Sequence, residues 1–509
     1  MASGDLITRI ASEDTSQNIL DVVSRMENAL VDPSKIDWKS FFEARATGEV
    51  FSTKFYTYET STNPAGIKMN ASVGLRCEPS TETVKGADDF ANHNAFSYVD
   101  CNFVCNDSGK RIPSKIQGQN GFSRFGKVDV GILTPQTYWA IEEHYNDGYY
   151  IVHFSDKKHE ELNMISTPWC TDPSGNEMGY GIVTKYYAGM IDNILYSSSG
   201  IAPKGFVSYQ SGHTLLQNKG TGYYGSGSER TAYLMLMLWI KYATKNSQTV
   251  FRGCVDYNFQ YKVAEATTDC DYLILTTENA NNLVVGGCVS IGDPAGATTD
   301  RNDGRLFNIL DRVRVKKIEL IAGTSNSKVY VTGGTFTTTS TTMISTEPCY
   351  SGETDNILGA DGYVANDGKH SFRLNGVEEG IGVCYISMNE LWNKESATVV
   401  SYYVRGNATW SSSSVSGYTK VGTFDMGSAS DQWFGDLTMD VNTGVFYPRV
   451  YGSGDSVGVG DYQWKGGDGT GLREALQRGG LGYGSDAGLA CSGLWFGVSF
   501  AWWYFALAV

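Results

Sequence analysis

The sequence predicts a mainly β fold with a few helices, an α+β chain built from several units. Three observations carry the prediction. Glycine supplies 59 of 509 residues, and aromatics reach 13% against 19% charged; disordered chains carry fewer aromatics and more charge. Short runs rich in Val, Ile, Thr, Tyr and Phe alternate with Gly, Asn and Asp turns along most of the chain. The length exceeds what one ordinary core accommodates, so two to four units are expected.

Taken in order, residues 14–31 read as a short helix. Asp14 or Thr15 can cap it, and Ile19, Val23, Met26 and Leu30 follow at helical spacing. About two heptads suit either an amphipathic helix on its own domain or a helix at an oligomer axis. Residues 36–124 read as a small β-rich domain, with a strand over 49–56. Further strands are expected at 128–133, at 149–154 after the turn Asn146-Asp147-Gly148, and at 181–187. The clearest helix is capped by Ser228 and runs from Glu229 to about Thr244. Leu234, Leu236, Met237, Leu238 and Ile240 make it apolar on nearly every side, so it should be buried. It contains Lys241 and is too short for a good membrane span. Residues 255–350 are β-like, with a Thr-rich stretch at 335–342 that favours strands.

The formal net charge of -15 leaves no basic footprint for a phosphate backbone, so no nucleic-acid partner is expected. The first residues lack both a basic region and an apolar run, so no signal peptide is expected. The ten cysteines form no C-x-x-C pair and no zinc-type cluster with histidine. They read as reduced thiols of a protein made in a cytoplasm, although pairing cannot be deduced from spacing.

Residues 488–509, GLACSGLWFGVSFAWWYFALAV, contain no charged side chain. One reading is a tail-anchored membrane helix. Against it stand three Gly, two Ser, aromatics through the middle, and no Lys or Arg nearer than Arg478. A second is a buried strand pair. Trp495-Phe496 and Trp502-Trp503-Tyr504-Phe505 are consecutive, and strand neighbours point to opposite faces, so both faces would need burial. The third is an exposed binding surface, because contiguous exposed aromatics mark interaction sites and give large contact area at low entropy cost.

The stretch REALQRGG at 473–480, the turn GSDAGL at 484–489, and Ser499, Ala501 and Trp503 resemble the variable region of proteins diversified by retroelements, which closes a C-type-lectin-like fold. The resemblance implies a scaffold of Gly479, Gly480, Gly484, Ser485, Ala487, Gly488, Leu489, Leu494, Gly497, Ser499, Ala501 and Trp503. It implies diversified, ligand-binding positions at Tyr483, Asp486, Ser492, Gly493, Trp495, Phe496, Phe500, Trp502, Tyr504 and Phe505. Two features depart from the pattern. Trp495 and Trp502 cannot arise from an Asn codon by changing adenines alone, and the usual closing glycine-x-arginine-leucine is absent. Upstream, 128–154, 181–188, 199–203, 233–248 and 367–378 resemble the preceding blocks of phage-encoded proteins of this fold. That implies a C-type-lectin-like domain over 125–509, with a β-rich insertion at about 255–355 and a variable region at about 473–509. Residues 1–35 and 36–124 would then form the N-terminal helix and a virion-attachment domain. The implied function is a virion tip or tail-fibre adhesin, made in the host cytoplasm. It would be a homotrimer that contacts other tail or baseplate proteins and binds a bacterial surface receptor, protein or glycan, without catalysis.

The same fold family includes a copper-dependent oxidase that needs a close Cys pair in the C-terminal half; Cys384 and Cys491 are far apart in sequence. None of the six histidines, at 93, 144, 153, 159, 213 and 370, lies in a nucleophile motif. No spacing selects two carboxylates for glycoside cleavage, which leaves a surface-glycan depolymerase as the enzymatic alternative and a structural virion protein as the non-binding one. Residues 300–304 and 366–368 offer oxygen ligands for a structural calcium ion, without the full loop of a calcium motif. They read as plain turns, and no cofactor is expected.

Overall fold

A computed structural model describes residues 32–294, 304–405, 413–466 and 469–509, with the backbone of 300 and 301. The helix expected over 14–31 lies outside the described residues. Strands hold 37% of residues and helices 13%, so the class is mainly β with few helices.

Among the described residues, seven sheets build the body. A five-stranded sheet runs in the order Ile67–Asn70, Phe51–Tyr56, Tyr149–Ser155, Tyr138–His144, Ile165–Ser166. A four-stranded sheet joins Arg111–Ile116, Val99–Cys105, Asp129–Pro135 and Tyr180–Thr184. The expected boundary near residue 124 is therefore corrected. Phe51–Tyr56 pairs with Tyr149–Ser155, and Val99–Cys105 with Asp129–Pro135, so the earlier strands find their partners beyond it. Backbone N–H and C=O groups in a core must pair, and here they pair non-locally.

Six strands drawn from Gln260–Lys262 to Met343–Thr346 form a sheet of their own, inside the stretch expected as a β-rich insertion. Its core is not separate. Val289, Ile291, Val329 and Ile344 pack in one apolar cluster with Tyr187, Tyr385, Trp503, Ala506 and Ala508. The largest sheet has nine strands. Cys384–Lys394 lies between Val399–Arg405 and Gly471–Gln477, and Phe505–Ala506 joins it in parallel.

The apolar run at 229–244 forms the helix Ser228–Met237, followed by a π-turn Leu238–Tyr242 that ends where Ala243 turns left-handed at φ 49°. Apart from Glu229, every residue from Ser228 to Lys241 is buried, as its all-round hydrophobicity requires. The cap differs by one residue: Gly227 precedes the helix, and Ser228, already helical, donates its hydroxyl to the Thr443 carbonyl at 2.6 Å. A second helix, Tyr209–Gln217, begins at a capping box between Ser208 and Ser211. Among the described residues no helix is long and apolar enough to cross a membrane. Residues 488–509 fold instead as turns and the short strands Ser492–Gly493 and Phe505–Ala506. None of the ten cysteines is paired.

Candidate functional site

The base of the C-terminal face is a buried charge cluster. Arg230 and Arg478 both meet Glu379, the latter at 3.3 Å, and the Tyr187 hydroxyl donates to the same carboxylate. Burial alone would raise the Glu379 pKa, but the two guanidinium groups hold it down at about 2. Arg478 then reaches outward: its Nη1 donates to the Leu489 carbonyl at 2.7 Å, and its backbone N–H to the Cys491 carbonyl at 2.9 Å.

The turn at 484–489 is fixed by residues far upstream. Ser247 Oγ accepts the Leu489 N–H at 2.9 Å, and Gln248 Nε2 donates to the Ser485 carbonyl at 2.6 Å. Gln248 Nε2 also meets Asp461 Oδ1 at 3.0 Å, and Asp461 Oδ2 accepts the Ala490 N–H at 2.8 Å. Burial pushes Asp461 up to about 7. Two glycines permit the close approach. A Cβ on Gly479 would stand 1.9 Å from that of Ala487, and one on Gly488 would stand 2.0 Å from Asp461 Oδ1. Residues 246–248, 478–480 and 484–491 thus meet in space.

Over this base lies a continuous aromatic face. Phe496 stacks on Phe500 at 4.1 Å between ring centroids, and Phe500 on Trp502 at 5.5 Å. Trp495 packs on Phe496 at 5.9 Å and is 37% exposed, while Phe496, Phe500, Trp502, Tyr504 and Tyr483 are half-buried. The Tyr483 and Tyr504 hydroxyls lie 2.9 Å apart, and burial together with the neighbouring groups raises the Tyr483 pKa. Asp486 is half-buried at the edge of the turn, and burial raises its pKa.

Three of the expected ligand-binding positions do not belong to the surface. Ser492 is 1% exposed and Gly493 is buried, because this pair is hydrogen-bonded between Tyr462–Trp464 and Gly471–Gln477. Phe505 is also 1% exposed, because its strand is paired with Cys384–Lys394 and its ring packs in the core with Ile386 and Leu476. Among the expected scaffold positions, Gly479, Gly480, Ala487, Leu489, Leu494 and Trp503 are buried, whereas Ser485 and Ser499 are exposed.

The face also extends beyond the expected segment. Trp464 contacts Tyr483 at 4.5 Å and Trp495 at 5.8 Å; Tyr462 follows at 5.3 Å, and Trp433 packs on Tyr462 at 4.7 Å. All three are half-buried. The alternation Tyr462-Gln463-Trp464 was the available signal, since residues two apart share a strand face.

The remaining candidates with described side chains have structural partners. Asn366 Oδ1 accepts the Arg252 N–H and Asp367 Oδ1 the Lys369 N–H, as in a plain turn; residues 300–303 are without described side chains. Among the described residues Cys77, Asp88 and Asp361 converge at metal-ligand distances, but Lys241 Nζ lies 3.0 Å from Asp88 and 2.6 Å from Asp361 and supplies the counter-charge itself. His213 is buried and pushed down to about 2 by that burial.

No family model matches the chain, and no curated protein is significantly similar to it.

Proposed function

We propose that the protein is a phage receptor-binding protein that recognises a bacterial surface ligand through its C-terminal aromatic face. On this reading the C-terminal part is a C-type-lectin-like domain whose variable region lies at 473–509, and the assembly is a homotrimer at the tail tip or fibre, attached to other tail or baseplate proteins. The observation that carries the proposal is the unbroken chain of ring contacts from Trp433 through Trp464 and Trp495 to Trp502, half-buried to exposed. Contiguous exposed aromatics are unfavourable in water and are typical of interaction sites, where Trp and Tyr dominate binding energy. The motifs at 473–489 support the phage assignment, and the main-chain anchoring of the turn supports a surface whose side chains vary on a fixed base.

The ligand-binding positions then reduce to Tyr483, Asp486, Trp495, Phe496, Phe500, Trp502 and Tyr504, with Trp464, Tyr462 and Trp433 added. Replacing Trp495 and Trp502 with Ala together should reduce binding of the purified protein to host cells at least tenfold while the thermal unfolding transition persists. Unchanged binding by a folded double variant would end the proposal. Release of reducing ends from host surface polymer would instead establish the depolymerase. A solution mass equal to one chain would remove the trimer.

A further inference from the structure

The six-stranded sheet drawn from Gln260–Lys262 to Met343–Thr346 is bracketed in the chain by two cysteines. Cys254 precedes its first strand and Cys349 follows its last, so residues 255–348 lie between them. Both ends are held against the same two segments. The Cys254 N–H donates to the Gly380 carbonyl at 2.6 Å, and the Cys349 N–H to the next carbonyl, Ile381, at 2.8 Å. The Val255 N–H donates to the Gly368 carbonyl at 2.9 Å, and the Cys349 thiol lies 4.0 Å from the neighbouring Lys369 carbonyl.

The two thiols lie within hydrogen-bonding reach of each other, and both are free. They pack in one apolar cluster with Tyr257, Val289 and Ile381. Cys254 is 0% exposed and Cys349 2%. The adjoining Cys254 thiol and burial hold the Cys349 thiol well above its ordinary pKa, and burial raises that of Cys254. The thiolate is the attacking species, so neither sulfur reacts while the fold is closed. Exchange begins when an end of the module parts from residues 380–381, a local opening rather than global unfolding.

We infer that Cys254 and Cys349 form a disulfide that staples the two ends of the six-stranded module when the chain meets a small-molecule disulfide such as glutathione disulfide. One thiol loses its proton and attacks the oxidant, which forms a mixed disulfide and releases one glutathione thiolate. The second thiol loses its proton and attacks the protein sulfur of that mixed disulfide, releasing the other. Two protein thiols are oxidised to one disulfide, one glutathione disulfide is reduced to two glutathione molecules, and the two protons pass to the released thiolates. The new bond closes the chain over residues 255–348. It restricts the unfolded chain more than the folded one, where the two ends already meet. Neither step involves the aromatic face, so the test does not depend on the receptor assignment.

The full chain, purified with its thiols reduced, is incubated with glutathione disulfide at mildly alkaline pH just below its melting temperature, alkylated, and mapped by non-reducing peptide mass spectrometry. A peptide linking Cys254 to Cys349 should appear, and dithiothreitol should remove it. The oxidised chain should melt about 2–4 °C higher than the reduced one. Cys349→Ala should lose both the linked peptide and the gain. Cys288→Ala, which removes another buried thiol of the module, should keep both. If either variant fails to fold, the peptide map and melting temperature of the parent chain decide. Absence of the linked peptide, glutathione retained on either cysteine, or a linked chain that melts no higher than the reduced one would overturn the staple.

Discussion

Glu474 shows how one side chain links the aromatic face to the stability of the fold. Its carboxylate is buried; Oε2 accepts the Tyr209 N–H at 2.8 Å, and Oε1 has no partner among the described residues. Burial raises its pKa well above the usual carboxylate range. The folded state therefore binds this proton more tightly than the unfolded chain does. Stability is greatest below the unfolded pKa of about 4 and falls as pH rises towards the folded value. Glu474→Gln keeps an acceptor for Tyr209 and removes the charge. It should be more stable than the parent at pH 8 by roughly 1–3 kcal/mol, the usual cost of an unsatisfied buried polar group, and the difference should shrink at pH 4. Denaturant unfolding at the two pH values measures this; a variant that is equally destabilised at both would show that Glu474 acts through packing alone. The backbone N–H of the same residue donates to the Phe496 carbonyl at 3.2 Å, so the aromatic face rests directly on it.

At the scale of elements, the helix Ser228–Met237 is buried along its length apart from Glu229. Leu234 and Leu236 are fully buried. Leu236→Ala should cost about 2–5 kcal/mol in denaturant unfolding, because a cavity remains where the surroundings cannot collapse. This helix was legible in sequence, since a Leu/Met run bounded by Ser228 and Asn246 admits few alternatives. The helix Tyr209–Gln217 was not: Gly212, His213 and Thr214 interrupt its pattern, and the capping pair Ser208 and Ser211 was its one clear signal. Strands at 129–135, 149–155 and 180–184 could be read from β-branched runs, but pairing could not, because partners such as Cys384–Lys394 and Phe505–Ala506 lie more than a hundred residues apart. The same gap explains the site. Exposed Trp495 and half-buried Phe496 and Trp502 follow from a charge-free aromatic run. Burial of Ser492, Gly493 and Phe505 follows only from sheet pairing that spacing does not encode.

For the whole molecule, the clusters are interleaved. Leu507 and Val509 pack with Ile36, Trp38, Phe41 and Leu133, so the first described residues and the last share one core. Deleting residues 505–509 should remove the cooperative thermal transition of the entire chain. A truncated protein that stays soluble and keeps its near-ultraviolet circular dichroism would show that the N-terminal half folds alone. The anchoring of the turn at 484–491 has a consequence of another kind. Arg478, Ser247 and Gln248 grip it through carbonyl oxygens and amide hydrogens at Leu489 and Ser485, which every amino acid carries alike. Rewriting the outward side chains leaves those grips untouched. Under the proposed receptor-binding function, novelty at the surface and integrity underneath would thereby be uncoupled, and a lineage could try many recognition chemistries without renegotiating its architecture each time.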